Sequence, residues 1–492
     1  MHRRLSRRRF VIASTGAAAA LGLGRRAASA EAGGVIDVAI IGAGLAGLNA
    51  ALLLDELGAS VLVLEAGSRP GGRCLTRDDW YRHPDLGGAQ IGRDYARVLD
   101  MAARLDVRLG PGAHVNAPYS FAIGGRLVPA KEWPDSPLNR LLGAERSVAP
   151  HALLGHYVEE RNPLVGADAW LQPAAAAYDL SLAEWLTRQG ASPEARRLIR
   201  ESQGVALEKL SVLRMMQEAA RARVAMAAAT ATKATPGGKD AYERIGPQSL
   251  HVVGGTSRLT EAMAHALGDR VHPGMRVDAI DMDASGCELR CADGTRLRAR
   301  YAIAAVPFSV LRRMRISPAL QGVQAEAVEH MPYGNQSQVW LRARSPYWEK
   351  DGIEASMWTD GPFTLIRQQI EADGARELVS ALAFSDKARQ FDALPEAGRG
   401  RRAIAEIERI RPAARGTLEF VGAHSWERAP FSRGCSFQLV PGRVRAWQQA
   451  MARPHDRLHF AGEHLRRLEI GMEAAMESGE HAAGEVAQRM LG

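Results

Sequence analysis

The stretch that most constrains this chain runs from Val38 to Arg73. An apolar run, Val38–Ile41, breaks at Gly42-x-Gly44-x-x-Gly47. Apolar residues then recur at helical spacing over Leu45–Leu57, and Gly58 closes that segment. A second apolar run, Val61–Leu64, ends in Glu65. Short continuous apolar runs suit strands buried on both faces, so the segment predicts a βαβ unit. The first glycine permits the tight turn, the second lets backbone approach a pyrophosphate, and the third packs helix on strand. The helix N-terminus supplies free N–H groups and the positive end of its dipole. Glu65, eighteen residues beyond Gly47, stands where an acid meets ribose hydroxyls. Glycines alone would signal only a turn. With the strand, the helix and the acid they predict dinucleotide binding.

A second cluster, Gly71-Gly72-Arg73 in "EAGSRPGGR", follows the acid closely. It resembles the FAD-binding signature of the flavin-containing monoamine oxidase family. In such flavoproteins the glycine pair crosses close to the cofactor and the arginine meets phosphate. The resemblance spans nearly the whole chain after residue 30. "DLGGAQIG" is similar to the family's stretch beside the isoalloxazine, which assigns Gly88, Ala89, Gln90 and Ile91 to the cofactor. "VVGGTSRL" and Val277 in "GMRVDAI" match the segment whose valine backbone contacts adenine. "HFAGEH" resembles a C-terminal signature, implying Gly462 and Glu463 near the ribityl or pyrophosphate region. Gly471 and Met472 open the last helix, whose N-terminus would face the flavin pyrimidine and stabilise negative charge there. With Gly42, Gly44, Ala46, Gly47, Glu65, Ala66, Gly72 and Arg73, these form the cofactor set that the resemblance implies.

The chain also departs from the family. Two aromatic rings that sandwich the amine fall here at Ser436 and Gly471, so both are missing. With Gln90 these are the expected substrate-lining positions, and they argue for a bulkier or differently oriented substrate. Trp426 matches the family's tryptophan near the flavin. A lysine that reaches flavin N5 through a water is replaced by Gln338, which puts fast turnover with oxygen in doubt. Gln338 and Trp426 are the candidate catalytic residues. Cys435 aligns with a cysteine that some members bond to the flavin, but its surroundings have diverged, and non-covalent FAD is expected. An arginine that binds the substrate carboxylate in L-amino-acid oxidases is Gln90 here, which favours amines over amino acids.

At 492 residues the chain exceeds one compact domain. The expected fold class is α/β: a Rossmann-like FAD-binding domain in discontinuous segments plus an α+β substrate domain, the two-domain amine oxidase fold. The segments 31–110, 245–320 and 422–492 are assigned to the cofactor domain, and 111–244 and 321–421 to the substrate domain. Pro111–Gly238 reads as helical, and "TATKATPGGKDAY" as a linker.

Residues 1–30 have a basic start, an apolar run from Phe10 to Leu23 and an Ala28-Ser29-Ala30 ending. Ser6-Arg7-Arg8-Arg9-Phe10-Val11 resembles a twin-arginine export signal, which predicts a periplasmic or secreted protein. The run is too short for a membrane span, so no stable membrane anchor is expected. The formal charge of +8 rests on this segment, which carries seven arginines and no acid. Without it 56 basic residues face 55 acidic ones, leaving no surplus to argue for nucleic acid. Four cysteines show neither a disulfide framework nor zinc spacing, and no metal is expected. The predicted partners are a small-molecule amine and a periplasmic cytochrome as electron acceptor, with oxygen as the rival acceptor; nothing in the sequence argues against a homodimer. The rival functions are an L-amino-acid oxidase, an FAD-dependent desaturase or isomerase on an apolar substrate, and a non-catalytic flavin-binding protein.

Overall fold

The computed structural model describes residues 35–111, 114–115, 119–233 and 250–491. The export segment 1–30 and most of the linker lie outside them. The βαβ unit forms as the glycine spacing predicts: strand β1 (Ile36–Ile41), helix α1 (Leu45–Glu56) and strand β2 (Val61–Glu65). Every residue of β2 is buried, as a strand covered on both faces should be.

Later segments complete the sheet with β3 (Val271–Pro273), β4 (Val277–Asp283), β5 (Gly286–Cys291), β6 (Arg296–Ala304) and β7 (Arg315–Ser317). The order is β3-β2-β1-β6-β5-β4-β7. The core β3-β2-β1-β6 is parallel, and β4, β5 and β6 form an antiparallel meander whose β5–β6 turn holds Gly294 at φ +90°. One face of the sheet (Val38, Ile40, Val61, Val63, Ile303) packs on α1, on the Ser257–Leu267 helix and on the C-terminal helix α2 (Gly471–Leu491). The other face (Ala39, Ile41, Leu62, Leu64, Ala302) joins a core that runs into the helical residues 153–220.

The second large sheet is built around β8 (Gln336–Ala343) and β9 (Leu418–Ser425). Its order is β9, β8, Leu378–Phe384, Leu365–Ile370, Met357–Thr359, Ser120–Ile123 and Arg126–Val128. The last two strands correct the reading of Pro111–Gly238 as helical throughout. Ser120–Ile123 is buried at all four positions and pairs in parallel with Met357–Thr359, a long-range partner that no local pattern announces. The boundary drawn at 422 falls inside β9, which stays in this sheet to Ser425. Strand β10 (Leu458–Phe460) then returns the chain to β6 of the first sheet and leads into α2. Among the described residues no helix is long and apolar enough to cross a membrane. Nor is any group of three or more His, Cys, Asp or Glu placed to hold a metal ion.

Candidate active site

A cavity of about 670 Å³ opens at the C-terminal ends of β1 and β2 and reaches across to β8 and β9. Ligands bind at such strand ends in open α/β sheets, and the volume falls within the range of roughly 300–1,000 Å³ found for small-molecule pockets. The floor is the glycine turn. Gly42 sits at φ +104° with the Ala305 carbonyl 2.8 Å from where a Cβ would be, so only glycine fits there. A Cβ on Gly47 would run into the Gly42 carbonyl oxygen, so this glycine sets the contact of helix and strand. A Cβ on Gly44 meets nothing within 4 Å and would project into open space. Gly44 caps α1, whose unpaired first-turn N–H groups adjoin that space.

Glu65 closes the turn from the side. Its carboxylate accepts from the Ala43 N–H (2.8 Å) and the Gly67 N–H (2.7 Å). Burial pushes its pKa up, only partly offset by those two hydrogen bonds. Two acceptor positions per oxygen leave capacity for ligand hydroxyls. The second cluster faces the first: Gly72, at φ +55°, lies so near that a Cβ there would be 3.6 Å from the Gly44 Cα. Arg73 donates to the Cys435 carbonyl (2.7 Å) and pairs with Glu463 at 3.4 Å. Burial acts against its charge, and Glu463 together with Tyr333, Cys435 and Cys74 more than restores it.

A second helix N-terminus adjoins the cavity, since Gly471 and Met472 at the start of α2 line it. Glu473, fully buried in the same turn, is turned away. It caps the Ala96–Arg104 helix by accepting from the N–H groups of Arg97 and Val98. The far wall consists of Gln336, His424, Trp426, Cys435 and Ser436. Trp426 Nε1 and His424 Nε2 are buried there without a partner, and the two rings meet edge to face at 4.5 Å. His464, 1% exposed, has both ring nitrogens unpartnered and packs on Phe308. Burial, helped by Arg73, pulls its pKa down to about 3; burial and nearby arginines pull His424 to about 4. Both imidazoles are neutral at ordinary pH. Burial pushes the Cys435 thiol up to about 11, and its Sγ donates to Gln336 Oε1 at 3.5 Å.

Residues 45–487 match the sequence pattern of a family described as "Flavin containing amine oxidoreductase". The chain belongs to this family. It is 25% identical over 470 residues to the probable flavin-containing monoamine oxidase A of Dictyostelium discoideum, covering 92% of this chain and 98% of that one. It is 24% identical over 471 residues to human amine oxidase B, covering 92% and 86%. Among solved structures it resembles cyclohexylamine oxidase from Brevibacterium oxydans, with a TM-score of 0.72, 24% identity and coverage of 93% and 100%. A putrescine oxidase with bound putrescine gives a TM-score of 0.72 at 20% identity, covering 92% and 99%. The protein is a flavin-dependent amine oxidoreductase, and its cofactor is FAD.

The residues present fit that group. Two glycine segments leave a cradle that any Cβ would narrow, two helix N-termini adjoin it, and unpartnered polar atoms of Trp426, His424 and His464 surround it. Gly42, Gly44, Ala46, Glu65, Ala66, Gly72, Arg73, Gly88, Val277, Cys435, Gly462, Glu463, Gly471 and Met472 all line the cavity, with Trp426 and Ser436. Gly47 lies behind them.

Two expectations need correction. The wall ends at Gly88, and Ala89, Gln90 and Ile91 are not part of it. Gln90 points to solvent, and Ile91 is sealed into a bridge with Leu250 that takes both of its backbone hydrogen bonds. Gln338 does not reach the cavity either. Its amide donates to the Leu86 carbonyl (2.7 Å) and to Gln336 Oε1 (3.0 Å), while its oxygen accepts from Trp340 Nε1. The side chain presented to the cavity is Gln336, two residues earlier on the same face of β8. Sequence reading also missed His424 and His464. Each had a local signal, one beside Trp426 and the other inside "HFAGEH".

Proposed function

We propose that this protein oxidises an amine at the carbon next to a neutral nitrogen and releases an imine that hydrolyses to an aldehyde or ketone. Bound FAD supplies the hydride acceptor, the step no side chain can perform. The observation that carries the reading is the Gln336–His424–Trp426 wall, which is polar, partly unpartnered and without a charged group. A neutral wall does not stabilise an ammonium, so it favours the amine form whose lone pair assists loss of the hydride. The protein's contribution is to orient the amine and exclude water.

The electrons then pass to a periplasmic carrier such as a cytochrome rather than rapidly to oxygen. No lysine lines the cavity, and the Gln338 amide is committed to Leu86 and Gln336. The twin-arginine pattern in residues 1–30 supports export of the folded, loaded enzyme. FAD is held without a covalent bond at Cys435, whose thiol stays protonated, so acid precipitation should free the flavin.

The test has two parts. Aldehyde or ketone should appear in step with amine consumed; loss of amine without either product would overturn the reaction. Enzyme reduced by amine under argon should then be reoxidised quickly by cytochrome c and slowly by oxygen. Fast reoxidation by oxygen with stoichiometric peroxide would overturn the assigned acceptor.

A further inference from the structure

Three side chains of β8 form a hydrogen-bond chain that ends at the cavity. Trp340 Nε1 donates to Gln338 Oε1 (3.1 Å), and Gln338 Nε2 donates to the Leu86 carbonyl (2.7 Å) and to Gln336 Oε1 (3.0 Å). Residues two apart on a strand share a face, so the three stand in line. Trp340 and Gln338 are buried, while Gln336 is half-buried and lines the cavity.

The partners at the buried end decide how each amide is turned. An indole N–H can only donate, and a backbone carbonyl can only accept. Gln338 must therefore offer its oxygen to Trp340 and its nitrogen to Leu86. Turned over, it would set donor against donor and acceptor against acceptor. That nitrogen in turn requires the oxygen of Gln336, to which the Cys435 thiol also donates at 3.5 Å. The Gln336 nitrogen is left over, and among the described residues it meets no acceptor. Trp426, whose backbone N–H donates to the Gln336 carbonyl at 3.1 Å, lines the same wall and carries a second unpartnered N–H, its buried Nε1. The glycine turn, the α1 N-terminus and Glu65 suit the pyrophosphate and a ribose of FAD. The cavity runs from there to Gln336 and Trp426, so the ring of the cofactor extends toward this wall.

We propose that Gln336 donates its amide N–H to the ring of bound FAD and so raises the potential of the flavin, with Gln338 and Trp340 as positioning residues that keep its nitrogen forward. A hydride brings the ring two electrons and one proton, so the ring takes up one negative charge. The donor carbon loses its C–H bond, and an amine becomes an iminium. An N–H fixed in place beforehand holds the charged, reduced ring more strongly than the neutral, oxidised one. The chain through Gln338 supplies that fixity, since it leaves the Gln336 amide one orientation rather than two.

The experiment measures the midpoint potential of the bound flavin by equilibration with reference dyes under argon. It compares wild type with Gln336→Leu, Gln336→Glu and Gln338→Met, each checked for flavin content and melting temperature. Gln336→Leu should shift the two-electron equilibrium against reduction roughly tenfold to a hundredfold, which is about 30–60 mV. Gln336→Glu keeps an oxygen for Gln338 but puts an acceptor where the N–H stood, and should lower the potential at least as far. Gln338→Met frees the Gln336 amide to turn and should lower it by less. The two Gln336 variants differ in charge and shape, so if one fails to fold the other still decides. A potential unchanged in the folded Gln336 variants would overturn the assignment, and a rise in the KM for amines without any shift in potential would place the nitrogen on the substrate instead. A silent Gln338→Met beside a shifted Gln336→Leu would overturn the positioning role. The potential is read without an amine, so this assignment can fail while amine oxidation stands, and can hold if no amine bleaches the flavin.

Discussion

At the scale of single residues, the cavity is notable for polar groups held neutral. His424 and His464 are kept uncharged by burial and nearby arginines, with pKa values near 4 and 3. The unfolded chain takes up protons at both near pH 6.5. A histidine whose folded pKa is depressed contributes its full stability above the unfolded value. That stability is lost as the pH falls from about 6.5 toward the folded value, at about 1.4 kcal/mol per pH unit for each group. The melting temperature should therefore drop between pH 7 and pH 5, and His464→Asn should flatten that drop. Thermal scans across this range test it; identical slopes in wild type and variant would show that His464 is not held neutral. Gln338 and Gln336 show why residue roles were only partly legible. Sequence spacing placed the right strand at the site but not which glutamine would be used internally. That depends on the Leu86 carbonyl and on Trp340, contacts that exist only after folding.

At the scale of elements, the glycine turn divides into two jobs that mutation can separate. Gly44→Ala puts a methyl into open space in the cavity; it should preserve the fold and weaken FAD binding at least tenfold. Gly47→Ala drives a methyl into the Gly42 carbonyl and should destabilise the βαβ unit itself by about 2 kcal/mol or more, in line with overpacking costs. Flavin retained per chain and urea midpoints distinguish the two; equal losses of stability would refute the division. These elements were readable in sequence because each carries its own signal: apolar runs for β1 and β2, helical spacing for α1, glycines at the turn. Ser120–Ile123 was not. Its place depends on Met357–Thr359, more than 230 residues away, and its surroundings are dominated by helices. Gln90 was misplaced for a related reason, since the bridge of Ile91 to Leu250 turns its neighbour outward.

At the scale of the whole molecule, the chain crosses between its two sheets more than once, and the cavity lies where they meet. Residues from β1 and β2, from β8 and β9, and from the start of α2 all contribute to it. The organisation into a nucleotide-type sheet and a second sheet was legible, because the flavin motifs fall in sequence order along the first. The central claim is that this assembly takes a hydride from an amine. It is tested most directly by mixing the purified, flavin-loaded enzyme with a panel of amines and amino acids under argon while following the yellow flavin absorbance. Bleaching by amines is the predicted result. A band that stays yellow with every amine, in enzyme that is folded and full of FAD, would contradict it.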